Sequence, residues 1–311
     1  MDKKLNYEIV FDTLVKKTQE YVESNHLKAM ILGISGGIDS TVVAAICHEV
    51  SKQTGIPLMG RSLPIKNKED EFDVSKLVGE AFCDDFSVYR LERFYRAALF
   101  DACADADDVN MANSYYLDEL EEMPSRTPIA NGNLQARCRM IYLYDIASRH
   151  KGLVMSTDNQ TEYQLGFWTI HGDVGDFNPL FGLWKTEVYE LANYIKKFYI
   201  ECWEEYDISE PQYYNYKYMV EALDASINLV PTDGLGISNS DLDQIGAKSY
   251  AEVDDILQTM LLCKNPEREK WDILYNKYGE EVVNKVWNRH LASEFKRKNL
   301  PIVIERKEYN K

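Results

Sequence analysis

The sequence predicts an α/β fold, a doubly wound parallel sheet with flanking helices, on three observations. Short apolar runs of strand length alternate with longer amphipathic stretches of helix length, the pattern of successive βαβ units. A turn rich in glycine and serine joins the first apolar run to a long helical stretch. A later apolar run, GLVMST, delivers Thr157 and Asp158 to the carboxyl end of its strand, the edge at which open α/β sheets bind ligands.

The elements follow in order. Residues 7 to 24 set Ile9, Val10, Leu14, Val15 and Tyr21 near helical spacing, and residues 28 to 34 (KAMILGI) form a short apolar run closing on glycine, so a helix precedes a buried strand. After the SGGIDS turn, TVVAAICHEVSKQ is apolar on one face and polar towards its end, as in a helix packed on a sheet. IPLMGRSLP is strand-sized and stops at Pro64, and the charged stretch KNKEDEFDVSKLVGEAF carries the chain into another helix. NLQARCRMIYLYDIASRH reads as a strong helix ahead of the GLVMST strand. From Asn178 the sequence is mainly helical, with VYELANYIKKFY and SYAEVDDILQTMLL as amphipathic pieces. No linker forces a division, so residues 1–311 are expected to form a single domain. The tyrosine-rich stretch from Tyr206 to Tyr218 reads as surface or interface packing.

Composition narrows the function. With 311 residues and 45% hydrophobic content the chain can bury a substantial core. Its net charge of −16 repels phosphate backbones and anionic lipid, which argues against nucleic acid and membrane partners; a phosphorylated small molecule would need a local positive pocket. Six scattered cysteines without a CxxC pair argue for reduced thiols rather than a zinc site or disulfide framework. The N-terminal residues lack an apolar signal core, and no stretch reaches the roughly 20 apolar residues of a membrane span, so a cytoplasmic location is expected.

The most informative segment is Gly33-Ile34-Ser35-Gly36-Gly37-Ile38-Asp39-Ser40, placed between a buried strand and a helix. Adjacent glycines let backbone N–H groups converge on an anion, serines add hydroxyl donors, and the following helix points its positive dipole end at the same place. An aspartate in such a loop repels phosphate unless it holds a Mg2+ that bridges carboxylate and phosphate oxygens, which makes Asp39 a candidate metal ligand. The plain alternative is a glycine turn capped by Ser35 or Asp39. Neither GxxxxGK[ST] nor GxGxxG spacing is present.

SGGIDS resembles the signature of the ATP pyrophosphatases, the PP-loop group with an adenine nucleotide alpha hydrolase-like fold that cleaves ATP between its α and β phosphates. Asn133-Leu134-Gln135-Ala136-Arg137-Cys138-Arg139-Met140 and STDNQTEYQLGFWTIHGDVGDFNPLFGLWKTEV narrow the resemblance to the NAD synthetase family, and PTDGLGISNSDLDQIG and SYAEVDDIL extend it over most of the chain from about residue 30. The resemblance implies an ammonia-dependent ligase in which ATP adenylates the nicotinate carboxylate of deamido-NAD and ammonia then displaces AMP. It implies that the Gly33–Ser40 loop, Arg61, Thr157, Lys185 and Thr232 meet ATP, and that Asp39 and Glu162 bind Mg2+. Asn133, Arg137, Asp173, Asp176, Lys296 and Arg297 are implied to meet deamido-NAD. A homodimer is also implied, with the acceptor site near the subunit boundary. Asp173, Lys185 and Asp39 are the catalytic candidates, Asp173 as the carboxylate that binds ammonium and accepts its proton. The plain alternatives are a helix-start carboxylate for Glu162, a solvated lysine for Lys185, loop-stabilising turn carboxylates for Asp173 and Asp176, and a solvated basic tail for Lys296 and Arg297. With only about thirty residues ahead of the loop, no glutamine amidase domain is expected, so ammonia or a separate donor supplies nitrogen.

The sequence also departs from the family. FWTIHGDVG stands where FFTKYGDGG is frequent, so Ile170 replaces a substrate-side lysine and Val174 a glycine, with His171 a partial substitute. A tRNA-modifying or GMP-forming relative, or a nucleotide-binding regulator without turnover, are the competing readings. Charge disfavours the tRNA enzyme, and the joint retention of Asp39, Glu162 and Lys185 disfavours the regulator.

Overall fold

The computed structural model describes residues 5–67, 69–103, 121–122, 126–230, 240–262 and 268–298. Helix α1 (Tyr7–Ser24) leads into β1 (Met30–Gly33), α2 (Ile38–Thr54), β2 (Leu58–Ser62), α3 (Glu69–Phe82), β3 (Asp85–Val88), α4 (Glu92–Cys103), α5 (Pro128–His150), β4 (Leu153–Val154) and α6 (Gln160–Leu165). The rest is helical: α7 (Lys185–Glu204), α8 (Pro211–Asn228), α9 (Asp241–Ile245), α10 (Tyr250–Leu261), α11 (Arg268–Tyr278), α12 (Glu280–Ala292) and a 3-10 turn at Glu294–Arg297.

The sheet has the order β3-β2-β1-β4 with every pair parallel. The chain builds outward from β1 through β2 to β3 and then returns to the opposite side for β4. The loops after β1 and β4 therefore leave the same carboxyl edge on either side of the switch point, where a crevice opens. Alternation along β1 explains the two covered faces. Met30 and Leu32 join a core with α1, α2, α7 and α8 residues such as Phe11, Val43, Leu191 and Leu223. Ile31 joins Tyr95, Leu99, Leu143 and Ile146 of α4 and α5 on the other face. A third core of Leu165, Val253, Leu257, Leu274 and Val283 packs the C-terminal helices around α6.

The expected elements form, with informative differences. The buried stripe of α1 is Phe11, Val15, Thr18 and Val22, while Ile9 is exposed, because the stripe must follow one helical face rather than every apolar residue. Strand β3, which the sequence pattern does not announce, is a half-buried edge strand and lacks a continuous apolar run. Within the tyrosine-rich stretch, Tyr216 packs on Tyr199 and Tyr206, and Tyr213 on Trp203, joining α7 to α8. Among the described residues no helix is long and apolar enough to cross a membrane, and Cys47, Cys83, Cys138 and Cys202 are free thiols.

Candidate active site

The glycine loop turns tightly against α3. Gly36 has φ 88°, and a Cβ there would lie 2.8 Å from the Ser75 backbone nitrogen and 2.9 Å from the Glu71 carbonyl oxygen, so both conformation and space demand glycine. Ser35 Oγ accepts from the Gly37 N–H at 3.2 Å and pairs with Ser40 Oγ at 3.0 Å; Thr41 Oγ1 donates to the Gly37 carbonyl at 3.0 Å. Gly37 is the N-cap of α2 and supplies no side-chain cap, so the helix start keeps amides that an anion could take.

The second wall follows β4. Asn159 and Glu162 cap α6 reciprocally: Asn159 Oδ1 accepts from the Glu162 N–H at 3.0 Å and Glu162 Oε2 from the Asn159 N–H at 3.2 Å. The Lys185 N–H donates to Thr161 Oγ1 at 2.8 Å, which binds the start of α7 to that of α6. Lys185 is 3% exposed, and its Nζ reaches Asp39 Oδ2 and, at 3.0 Å, Glu162 Oε1. Asn159 Nδ2 donates to the other Asp39 oxygen at 2.8 Å, and the Tyr250 ring centroid lies 5.5 Å from the ammonium. Three charged residues distant in sequence thus meet at one point beside the loop.

Electrostatics follow from that burial. Desolvation pushes the Glu162 carboxyl up, to about 8, with Lys185 pulling it down and Asp39 adding to the rise. Burial alone would lower Lys185, but Asp39 and Glu162 outweigh it and hold the ammonium well above its ordinary range. Asp158 is raised to about 7 by burial and then by the charge of Asp173, against the hydroxyl that Ser156 donates at 2.5 Å. Desolvation by the surrounding protein raises Asp173 as well, while the Thr169 N–H and Lys296 oppose the shift, and the residue as a whole is exposed.

A cavity of about 300 Å³ adjoins the loop, lined by Gly33 to Ser35, Arg61 to Pro64, Asn67, Glu71, Ser75, Arg139, Met155, Thr157 and Asp173. The structure therefore gathers Thr157 and Asp173 with the loop, and Asp39, Glu162 and Lys185 with one another. Arg61 borders the cavity, but its terminal nitrogens bind Asp85 and the Gly60 and Asp85 carbonyls, tying β2 to β3. Arg137 is exposed and donates to the Ile170 carbonyl at 3.0 Å, and Asn133 Oδ1 accepts from Thr169 Oγ1 at 2.8 Å, so both hold the 169–173 loop. Asp176 is engaged by Tyr144 and by the Val154 N–H at the sheet edge. Lys296 donates to the Gly166 and Trp168 carbonyls, and Arg297 to those of Gln164 and His290. Thr232 lies outside the described residues.

Arg139 and Asn159 are functional candidates to which the sequence pattern assigns no role. Arg139 points inward, as its two-residue offset from Arg137 on a helix requires, and donates to the Leu63 carbonyl at 3.1 Å and to Asn67 Oδ1 at 3.2 Å. Asn159 is detectable as the first residue of an Asn-x-x-Glu capping signature. Among the described residues no cluster of three metal-ligating side chains occurs. Asp39 and Glu162 nevertheless offer two carboxylates to one cationic position, a hard-oxygen pair of the kind Mg2+ uses when phosphates and water complete its shell.

The sequence matches the NAD synthase family over residues 10–300. It is 31% identical to the NH(3)-dependent NAD(+) synthetase of Thermoplasma acidophilum, over 90% of this chain and 91% of that one. It is 29% identical to the enzyme of the same name from Finegoldia magna, over 81% of this chain and 85% of that one. The structure superposes on NMN synthetase from Francisella tularensis with a TM-score of 0.70 at 22% identity, covering 97% of this chain and all of that one, a likeness of fold. A match spanning nearly the whole chain, on a sheet whose switch point carries the SGGIDS loop, establishes that the chain belongs to the NAD synthase family.

Proposed function

We propose that this chain is an ammonia-dependent NAD synthetase, a ligase that forms the amide of NAD from deamido-NAD, ATP and ammonia at the last step of NAD biosynthesis. The observation that carries the reading is the convergence of Asp39, Glu162 and Lys185 beside the glycine loop. In this reading the loop amides and the α2 N-terminus hold the β and γ phosphates, and Lys185 neutralises charge on the departing pyrophosphate. Asp39 and Glu162 would hold Mg2+, which supplies Lewis-acid stabilisation of the phosphate oxygens. The nicotinate carboxylate attacks the α phosphorus, pyrophosphate leaves, and ammonia attacks the acyl carbon and expels AMP.

Asp173 is the proton acceptor for ammonium: it lines the cavity beside the loop, and its carboxyl is held above the usual carboxylate range, which suits it to take that proton. Thr157, and Thr232 by resemblance, belong to the ATP side, as does Arg61, which lines the cavity wall. Asn133 and Arg137 set the 169–173 loop that covers the nicotinate end, with Asp176, Lys296 and Arg297 anchoring that loop's flanks. Ammonia is the nitrogen donor in this reading, as the names of the NH(3)-dependent relatives suggest. The protein acts in the cytoplasm as a homodimer, which sedimentation checks.

The test is product analysis with ATP, Mg2+, ammonium and either deamido-NAD or nicotinate mononucleotide. Stoichiometric NAD, AMP and pyrophosphate from deamido-NAD support the reading. Turnover with the mononucleotide alone would reassign the acceptor, and ATP binding without turnover would reject the enzyme.

A further inference from the structure

The segment SYAEVDDIL carries two adjacent aspartates whose environments differ completely. Asp255 faces outward to Lys277 at 2.9 Å and to the Tyr278 hydroxyl at 2.7 Å. Asp254 is 2% exposed and touches neither ATP-loop nor cavity residues. Its Oδ1 accepts from Thr161 Oγ1 at 2.5 Å, and its Oδ2 from the Thr186 N–H at 3.0 Å and from Thr186 Oγ1 at 2.7 Å. Thr161 immediately precedes Glu162, and Thr186 immediately follows Lys185. Thr161 Oγ1 in turn accepts from the Lys185 N–H, so one carboxylate closes a ring of hydrogen bonds joining the first turns of α6 and α7.

The scaffold holding Asp254 is itself fixed. Ser249 and Glu252 cap the start of α10, through Ser249 Oγ to the Glu252 N–H at 3.2 Å and Glu252 Oε2 to the Lys248 N–H at 2.7 Å. Tyr250 and Asp254 stand four residues apart on one helical face, the first over the Lys185 ammonium and the second beneath its neighbour Thr186. Val253 and Leu257 are fully buried against the α6 residue Leu165. A helix that contributes no group to the cavity is thus tied by hydrogen bonds to the residues that flank Glu162 and Lys185.

We propose that Asp254 is a positioning residue: it locks Glu162 and Lys185 in register so that both meet Asp39 at the metal and phosphate position. The proposal rests on the functional reading above only through the roles of those three residues. Its test uses the full chain and variants Asp254→Asn, Asp255→Asn and Thr186→Val. The readouts are the gain in ATP affinity on adding Mg2+, by calorimetry, together with kcat, KM and thermal midpoint.

Groups that orient ligands from behind typically change metal affinity or activity by about 10 to 100-fold when removed. Asp254→Asn keeps shape but has a single acceptor oxygen and cannot accept from Thr161 and Thr186 at once, so it is expected to reduce the Mg2+-dependent affinity gain and kcat by that factor while KM for the acceptor holds. Asp255→Asn lowers the thermal midpoint alone. Combining Asp254→Asn with Glu162→Gln adds nothing further to the loss of Mg2+ gain, because both act on the same cation. A folded Asp254→Asn with the wild-type Mg2+ gain overturns the proposal, as does full additivity in the double variant. Should Asp254→Asn fail to fold, Thr186→Val, which removes one of the three bonds, takes its place: a reduced Mg2+ gain supports the proposal and a wild-type gain overturns it. Wild-type protein that gains ATP affinity from Mg2+ yet makes no NAD defeats the acceptor assignment and leaves this proposal intact.

Discussion

Lys185→Met removes the ammonium shared by Asp39 and Glu162 while keeping similar volume. Breaking a buried ion pair by deleting one partner destabilises by about 3 to 5 kcal/mol. The lower end applies here, because the Asp39 and Glu162 side chains retain 15% and 22% exposure and can recruit water or a proton. At roughly 2 to 4 °C per kcal/mol, a loss of about 3 kcal/mol lowers the thermal midpoint by about 6 to 12 °C. The sign of the pH dependence follows from Glu162. Its folded-state carboxyl is already raised from 4.5 to about 8, so its protonated form favours the fold below 4.5 and that contribution is lost as pH rises towards 8. Without Lys185 the rise is greater, so the deficit against wild type shrinks in acid and widens above neutrality. Mg2+ should compensate, since a divalent cation that no longer competes with the ammonium stabilises the variant more than the wild type. The assay is thermal unfolding across pH 5 to 9, with and without Mg2+. An unchanged midpoint, or equal Mg2+ shifts in both proteins, would refute the shared-cation reasoning.

Two further predictions concern the loop and the carboxylates behind it. Gly36→Ala places a methyl group 2.8 Å from the Ser75 nitrogen at φ 88°, so it should lose about 1 to 3 kcal/mol in equilibrium unfolding and most ATP affinity; wild-type values in both would contradict the loop geometry. Asp158 has a folded pKa raised from 3.8 to about 7, so wild-type stability should decline between those values relative to Asp158→Asn, by on the order of 2 to 4 kcal/mol in urea titrations. Parallel pH profiles for the two proteins would show that Asp158 does not carry that slope.

Much of this fold is legible in the sequence because burial imposes period. The strands β1 and β2 lie fully or almost fully inside; β1 reads as a continuous apolar run, β2 as a strand-sized run ending in Arg61 and Ser62, and α2 and α5 carry long apolar faces. Strand β3 escapes because an edge strand half in water needs no such run. The site is legible where backbone geometry forces residue identity, as at Gly36, and where charge is paradoxical, as at Asp39. It is not legible where function depends on contacts between distant segments. Nothing local marks Asp254 as inward and Asp255 as outward; only the packing of α10 on α6 decides it. Likewise Arg61 carries a charge that a phosphate could use, and only the register of β2 with β3 reveals that Asp85 takes it.

In the proposed reaction the Gly33–Ser40 loop with Asp39, Glu162 and Lys185 splits ATP between its α and β phosphates on behalf of a carboxylate acceptor. Isotope transfer tests it most directly: the enzyme is given deamido-NAD labelled with oxygen-18 in both nicotinate carboxylate oxygens, and products are weighed by mass spectrometry. One labelled oxygen in AMP, one retained in the amide of NAD and none in pyrophosphate is the predicted result. Label in a phosphate released with ADP, or unlabelled AMP, would contradict it.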